Sequence, residues 1–103
     1  MTDVPFLPAA RAEMLRAAER YEKERPGLSR DYLAEVETAA QRIATFPEHG
    51  SPFLQGTRRV VLKRFPFSVV YSTEADGPLV VAIAHHRRRP GYWVRRMKKR
   101  PGG

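Results

Sequence analysis

The sequence predicts an α+β fold: an N-terminal strand, an antiparallel helical hairpin packed on one face of an antiparallel sheet, and a short C-terminal helix. Three observations lead there. Apolar residues recur at helical spacing through the first half of the chain. Pro26-Gly27 interrupts that pattern once, leaving room for only a short turn between two helices. From Arg58 onward, strand-forming residues alternate with polar ones or run together between turn signals.

Val4-Pro5-Phe6-Leu7 reads as a short extended piece. Pro5 has no amide hydrogen to give a ladder, so an edge strand is expected. A helix is expected from about Ala9 to Arg25, with Ala10, Met14, Ala17, Ala18 and Tyr21 as one apolar stripe. Glu13, Arg16, Glu19, Arg20 and Lys23 fall largely off that stripe. A second helix should start with Ser29 as its N-cap, Leu28 and Leu33 as a hydrophobic staple, and Asp31 at the positive end of the dipole. Leu33, Val36, Ala40 and Ile43 carry its apolar face, and Pro47 stops it near Phe46.

Arg58 to Arg64 alternates, with Val60 and Leu62 on one side and Arg59, Val61 and Lys63 on the other. Phe65-Pro66-Phe67 makes a turn, Ser68 to Thr73 forms the next strand, and Asp76-Gly77 signals another turn. Leu79 to Ala84 is a continuous apolar run, as in a central strand covered on both faces. Pro90 suits the first position of a short helix through Tyr92, Trp93 and Val94. The sheet face away from the hairpin is then expected to be partly open and basic.

The 103 residues make one domain, 1–103, with a basic tail from about residue 97 to 103 expected to be flexible. There is no cysteine, which excludes disulfides, thiol catalysis and Cys-based metal sites, and fits a reducing cytoplasm. No stretch approaches the roughly 20 apolar residues of a membrane span, and Met1 to Pro8 lacks the pattern of a signal peptide.

Charge is divided unevenly. Residues 1–50 carry seven Lys/Arg and nine Asp/Glu, a net of −2; residues 51–103 carry twelve Lys/Arg and only Glu74 and Asp76, a net of +10. A surface so one-sided attracts a polyanion, nucleic acid or a strongly acidic protein.

The residues resemble the toxins of the RelE/ParE superfamily, the growth-arresting halves of type II toxin–antitoxin modules. The resemblance covers nearly the whole chain. It is carried by Phe6-Leu7-Pro8-Ala9-Ala10, by Tyr21 through Pro26-Gly27-Leu28, by Ile43 with Phe46-Pro47, by Arg64 through Tyr71, and by Ala84 through Trp93. It implies a RelE/ParE-like fold and a cognate antitoxin that wraps the toxin with a helical, often acidic segment. It also implies one of two targets. RelE-like members cut mRNA on the ribosome, and ParE-like members poison DNA gyrase.

Metal-free RNA cleavage needs a base for the 2′-hydroxyl proton, cations for the charged phosphorane and an acid for the leaving oxygen. Laid on the RelE-like pattern, Arg59 and Lys63 fall on the strand that supplies basic groups, Arg87 on the Arg ending the last strand, and Tyr92 or Trp93 on the C-terminal aromatic. His85 or His86 could serve as base or acid. If the chain is a nuclease, His85, Arg87 and Tyr92 are the expected catalytic set. Arg58, Arg59, Lys63, Arg64, Arg87, Arg88 and Arg89 are the expected nucleic-acid or target-binding set.

One departure from the RelE-like pattern matters. Those nucleases usually place an Arg two residues before the valine that precedes the middle-strand Tyr, and this chain has Ser68 there; the neighbouring basic position is Val61. The departure favours ParE-like inhibition of gyrase over mRNA cleavage. A basic nucleic-acid binder with no toxicity is the third reading.

Plainer roles stand beside these. His85 could simply hydrogen-bond a backbone carbonyl, Arg88 and Arg89 could be only an electrostatic patch, and Trp93 is the aromatic expected in the core. The adjacent His85 and His86 have no accompanying carboxylate, so no metal and no cofactor is expected.

Overall fold

The chain enters extended alongside the last strand of a sheet and turns at once into a helix. The computed structural model describes residues 4–98. Its elements are α1 (Pro8–Glu24), α2 (Leu28–Thr45), β1 (Ser51–Pro52), β2 (Arg58–Val61), β3 (Phe67–Glu74), β4 (Gly77–His85) and α3 (Val94–Lys98), with one short 3-10 turn at Leu54–Gly56. The strands form an antiparallel meander in the order β1-β2-β3-β4. The expected N-terminal strand is reduced to a single parallel bridge, Phe6 to Val80, held by Leu7 N–H donating to the Val80 carbonyl and Val80 N–H to that of Pro5. The part of the basic tail beyond Lys98 lies outside the described residues.

Pro8 opens α1 where a missing amide hydrogen costs nothing. Pro26 closes it by forcing Arg25 into extended backbone. The start of α2 differs from the expected Ser29 cap. Gly27, at φ 89, is the N-cap residue, and it has no side-chain oxygen to accept a hydrogen bond. The service comes from the other helix: the Glu22 carboxylate accepts from Gly27 N–H at 3.2 Å and from the Ser29 hydroxyl at 2.6 Å. Ser29 therefore acts as a donor from inside the helix, and Leu28 becomes the first helical residue rather than the outer half of a staple.

α1 lies across β4, with α2 beside it. The core between helices and sheet holds Ala10, Ala17, Val36, Ile43, Val69, Val80 and Ile83, among others. Tyr32 and Ala39 join it from α2 beyond the residues the sequence singled out. Tyr21, Tyr32, Phe65 and Phe67 form a cluster of edge-on and tilted rings, with Tyr21 4.9 Å from Phe65 and 5.2 Å from Tyr32 between centroids.

β4 is the outer strand of the ladder, not a central one, yet its apolar run is covered on both faces. A bulge makes this possible. Tyr71 pairs with Val80 and Val70 with Ala82, leaving Val81 as the extra residue. Val80 and Ile83 then face the helices, while Val81 and Ala82 both face away. The far face, expected to be partly open, is closed at its centre. Trp93, 1% exposed, packs there with Val70, Val81 and Ala82, and Phe53 flanks it at 6.0 Å. Pro90 does not start the last helix as expected. Residues 90–93 form turns, Gly91 takes φ 84, and α3 begins at Val94.

Gly50 is needed for close approach. A Cβ there would sit 2.8 Å from the Tyr71 ring and 2.9 Å from the Arg59 carbonyl. The space is taken because Gly50 N–H donates to the Tyr71 hydroxyl, which donates in turn to the Pro47 carbonyl at 2.6 Å.

Candidate target-binding surface

The basic groups gather where β4 ends. Because side chains alternate along a strand, His85 and His86 leave toward opposite faces. His85 lies on the helix side, edge-on to Phe67 at 4.9 Å, and its Nδ1 accepts from Arg87 N–H at 3.0 Å. Burial lowers its pKa below the ordinary value, and the charges of Arg87, Arg20 and His86 lower it further. It is neutral at pH 7. His86 turns to the far face, where its Nε2 lies 3.0 Å from the buried Ser68 hydroxyl.

The expected binding set divides in two. Arg58 donates to the carbonyls of Gly50 at 2.7 Å and Glu48 at 3.3 Å, so it holds the loop after α2. Arg64 pairs with Glu35 at 2.9 Å, and Glu35 also accepts from the Lys63 and Arg64 amides. Those two arginines serve the fold. Arg59 stacks 4.3 Å above Phe53 on the far face. Lys63, Arg87, Arg88 and Arg89 are exposed, and Arg88 lies 3.8 Å above the Tyr92 ring.

His85, Arg87 and Tyr92, the set a nuclease would use, do line one cleft of about 580 Å³. Two of the three have a polar atom already engaged, His85 through Nδ1 and Tyr92 through its hydroxyl. The Tyr92 hydroxyl donates to Glu13 at 2.7 Å. Burial, followed by the Glu13 hydrogen bond, drives its pKa far above the ordinary phenol value, so it keeps its proton at neutral pH. A tyrosine in that state is a poor proton donor to a leaving group.

Glu13 was the residue missed. The sequence places it largely off the apolar stripe, yet it is 8% exposed and accepts from four groups. These are Ile83 N–H at 3.0 Å, the Tyr92 hydroxyl, and both terminal nitrogens of Arg96 at 2.9 and 2.6 Å. Burial alone would raise its pKa, but the hydrogen bonds from Arg96, Tyr92 and Ile83 outweigh it and the pKa falls. Arg96 also donates to the Val81 carbonyl at 3.0 Å, so the group ties α1, β4 and α3 together. Among the described residues no group of three or more His, Asp or Glu could hold a metal. No described helix is long and apolar enough to cross a membrane.

A sequence profile described as the ParE toxin of the type II toxin–antitoxin system, parDE, matches residues 4–90. The chain belongs to the ParE toxin family. No curated protein sequence matches it. Among solved structures, a chain titled as the chromosomal ParDE TA system from P. aeruginosa superposes with a TM-score of 0.71 at 16% identity, covering 82% of this chain and 96% of that one. At that identity the likeness establishes the shared fold. Membership in a family of type II toxins brings a cognate antitoxin as partner. Ser68 of this ParE-family chain is buried beneath His86.

Proposed function

We propose that this ParE-family toxin arrests growth by inhibiting DNA gyrase through surface contact, without catalysis, and that its antitoxin covers the basic surface. The observation that carries this reading is the state of the nuclease positions. Ser68 is buried against His86, and Tyr92 spends its proton on Glu13. What remains outward is a cationic contact surface of Arg59, Lys63, Arg87, Arg88 and Arg89. Such a surface supports binding better than proton transfer.

Purified protein added to gyrase and relaxed plasmid is expected to block supercoiling, and Tyr92→Phe is expected to keep that inhibition. Unimpaired supercoiling, together with mRNA cut on translating ribosomes, would replace the proposal with the endoribonuclease reading. The one observation that favours that second reading is the shared cleft of His85, Arg87 and Tyr92.

A further inference from the structure

A smaller recess, of about 110 Å³, opens on the far face beside the end of β4. Arg59 of β2 lines it, as do Arg88 and Arg89 of the turn after β4. Ser68, on the strand between, lines it together with His86. The helix-side cleft mixes its cations with acids, for Glu13 and Glu19 line it along with Arg16 and Arg20 of α1. The far-face recess does not. Among the described residues no carboxylate lines it, and none of its three guanidinium groups is in an ion pair. Ser68 and His86 add one more donor. Between them the neutral pair holds a serine O–H and an imidazole N–H. Their 3.0 Å contact spends one of those hydrogens in either tautomer and leaves the other to donate.

From this arrangement we infer that the recess is a phosphate site and that it takes one backbone phosphate of duplex DNA. Guanidinium groups reaching it from two parts of the chain, with a neutral donor beside them, suit the several oxygens of a phosphate. Its volume is below the about 150 Å³ that admits a benzene ring, so a phosphate enters and a base stays outside. Single strands are held by bases stacked on aromatic faces. None is open here: Arg59 covers Phe53, Arg88 covers Tyr92, and Trp93 is 1% exposed. A protein carboxylate brings one charge, whereas a duplex brings a row of them, and exposed Arg87 remains for a neighbouring phosphate. The choice of DNA over RNA rests on the gyrase reading above. On that reading the toxin grips the DNA that gyrase handles as well as the enzyme.

Fluorescence anisotropy of a short labelled DNA duplex, titrated with the whole chain at several salt concentrations, tests this. Arg59→Gln/Arg89→Gln is expected to weaken binding about tenfold and to lower the slope against log salt by about one, the share of one phosphate. Arg89→Gln alone, at an exposed position, is expected to move both in the same direction, so the test stands even where the loss of Arg59 disturbs folding. Arg30→Gln/Arg42→Gln removes equal charge from α2 and is expected to cost less than about twofold. Unchanged far-UV circular dichroism of each variant separates lost binding from lost folding. Equal losses in the two double variants would overturn the inference, as would tighter binding of an RNA duplex of the same sequence or of a labelled oligothymidine. In the supercoiling assay the Arg59→Gln/Arg89→Gln variant is expected to lose potency by the factor it loses on DNA, and full potency despite weakened DNA binding would overturn the inference too. A parent chain that leaves supercoiling untouched removes the gyrase reading, and the duplex titration then decides the recess on its own.

Discussion

Glu13 concentrates more of the structure in one side chain than any other residue described. A carboxylate taken out of water costs several kcal/mol, and here Arg96, Tyr92 and Ile83 offset that cost together. Glu13→Gln keeps the shape but leaves the Arg96 guanidinium without its counter-charge. Because the Arg96 side chain is 22% exposed, the expected loss is toward the low end for a buried pair, about 2–3 kcal/mol by urea denaturation. The pH dependence has a definite sign. The folded pKa of Glu13 lies below the ordinary 4.5, so its contribution is complete above 4.5 and is lost as pH falls below it. Glu22 and Glu35 are lowered in the same sense. Denaturation midpoints at neutral pH and below pH 4.5 should therefore differ less in Glu13→Gln than in the parent, with the residue of the slope belonging to the other two. Nothing in the local sequence marks this residue. A glutamate on a helix is ordinarily solvated, and the partner that buries it lies 83 positions away.

At the scale of elements, the sheet has two cores, and the second depends on a segment with little regular structure. Trp93 reaches the far face from a run of turns, not from a helix. Trp93→Ala is expected to cost about 3–5 kcal/mol, measured by circular dichroism in urea. It is the chain's only tryptophan, so its fluorescence in the parent protein reports the far face alone. Fluorescence and circular dichroism should give one transition, because both cores share β3 and β4. The helices were legible because their stripes repeat within a few residues, and β3 because its β-branched and aromatic residues favour a strand. The covering of the far face was not. It needs Gly91 at positive φ to turn the chain back, and a glycine between Pro90 and Tyr92 marks a turn without saying where the chain goes next.

For the whole molecule, the division of charge in the sequence survives folding as a basic end built around the last residues of β4. Association with an acidic partner is steered by that end. Raising ionic strength from low to high is expected to slow binding of the cognate antitoxin by on the order of tenfold in stopped-flow measurements, with a much smaller change in its dissociation rate. The sign and place of the charge were legible from composition. The division of labour within it was not, because Arg58 and Arg64 look like Arg59 and Lys63 until Gly50, Glu48 and Glu35 come within reach. Arg16 and Arg20 were overlooked for the opposite reason: they belong to the half of the chain whose net charge is negative, and only the packing of α1 on β4 brings them to the basic end.

The bulge in β4 sets a rule for length. Residues Gly77 to Val80 and Ala82 to His85 each hold their own register with β3, and Val81 stands between the two halves without a partner. Removing one residue from a strand normally turns every later side chain to the wrong face. Here a chain without Val81 would join the two halves in step, with Val80 and Ile83 still inward and Ala82 still outward. The strand can therefore shorten by one residue at this place, at the cost of a valine's contacts and some twist, and relatives that differ there by a single gap would still present the same end of the sheet.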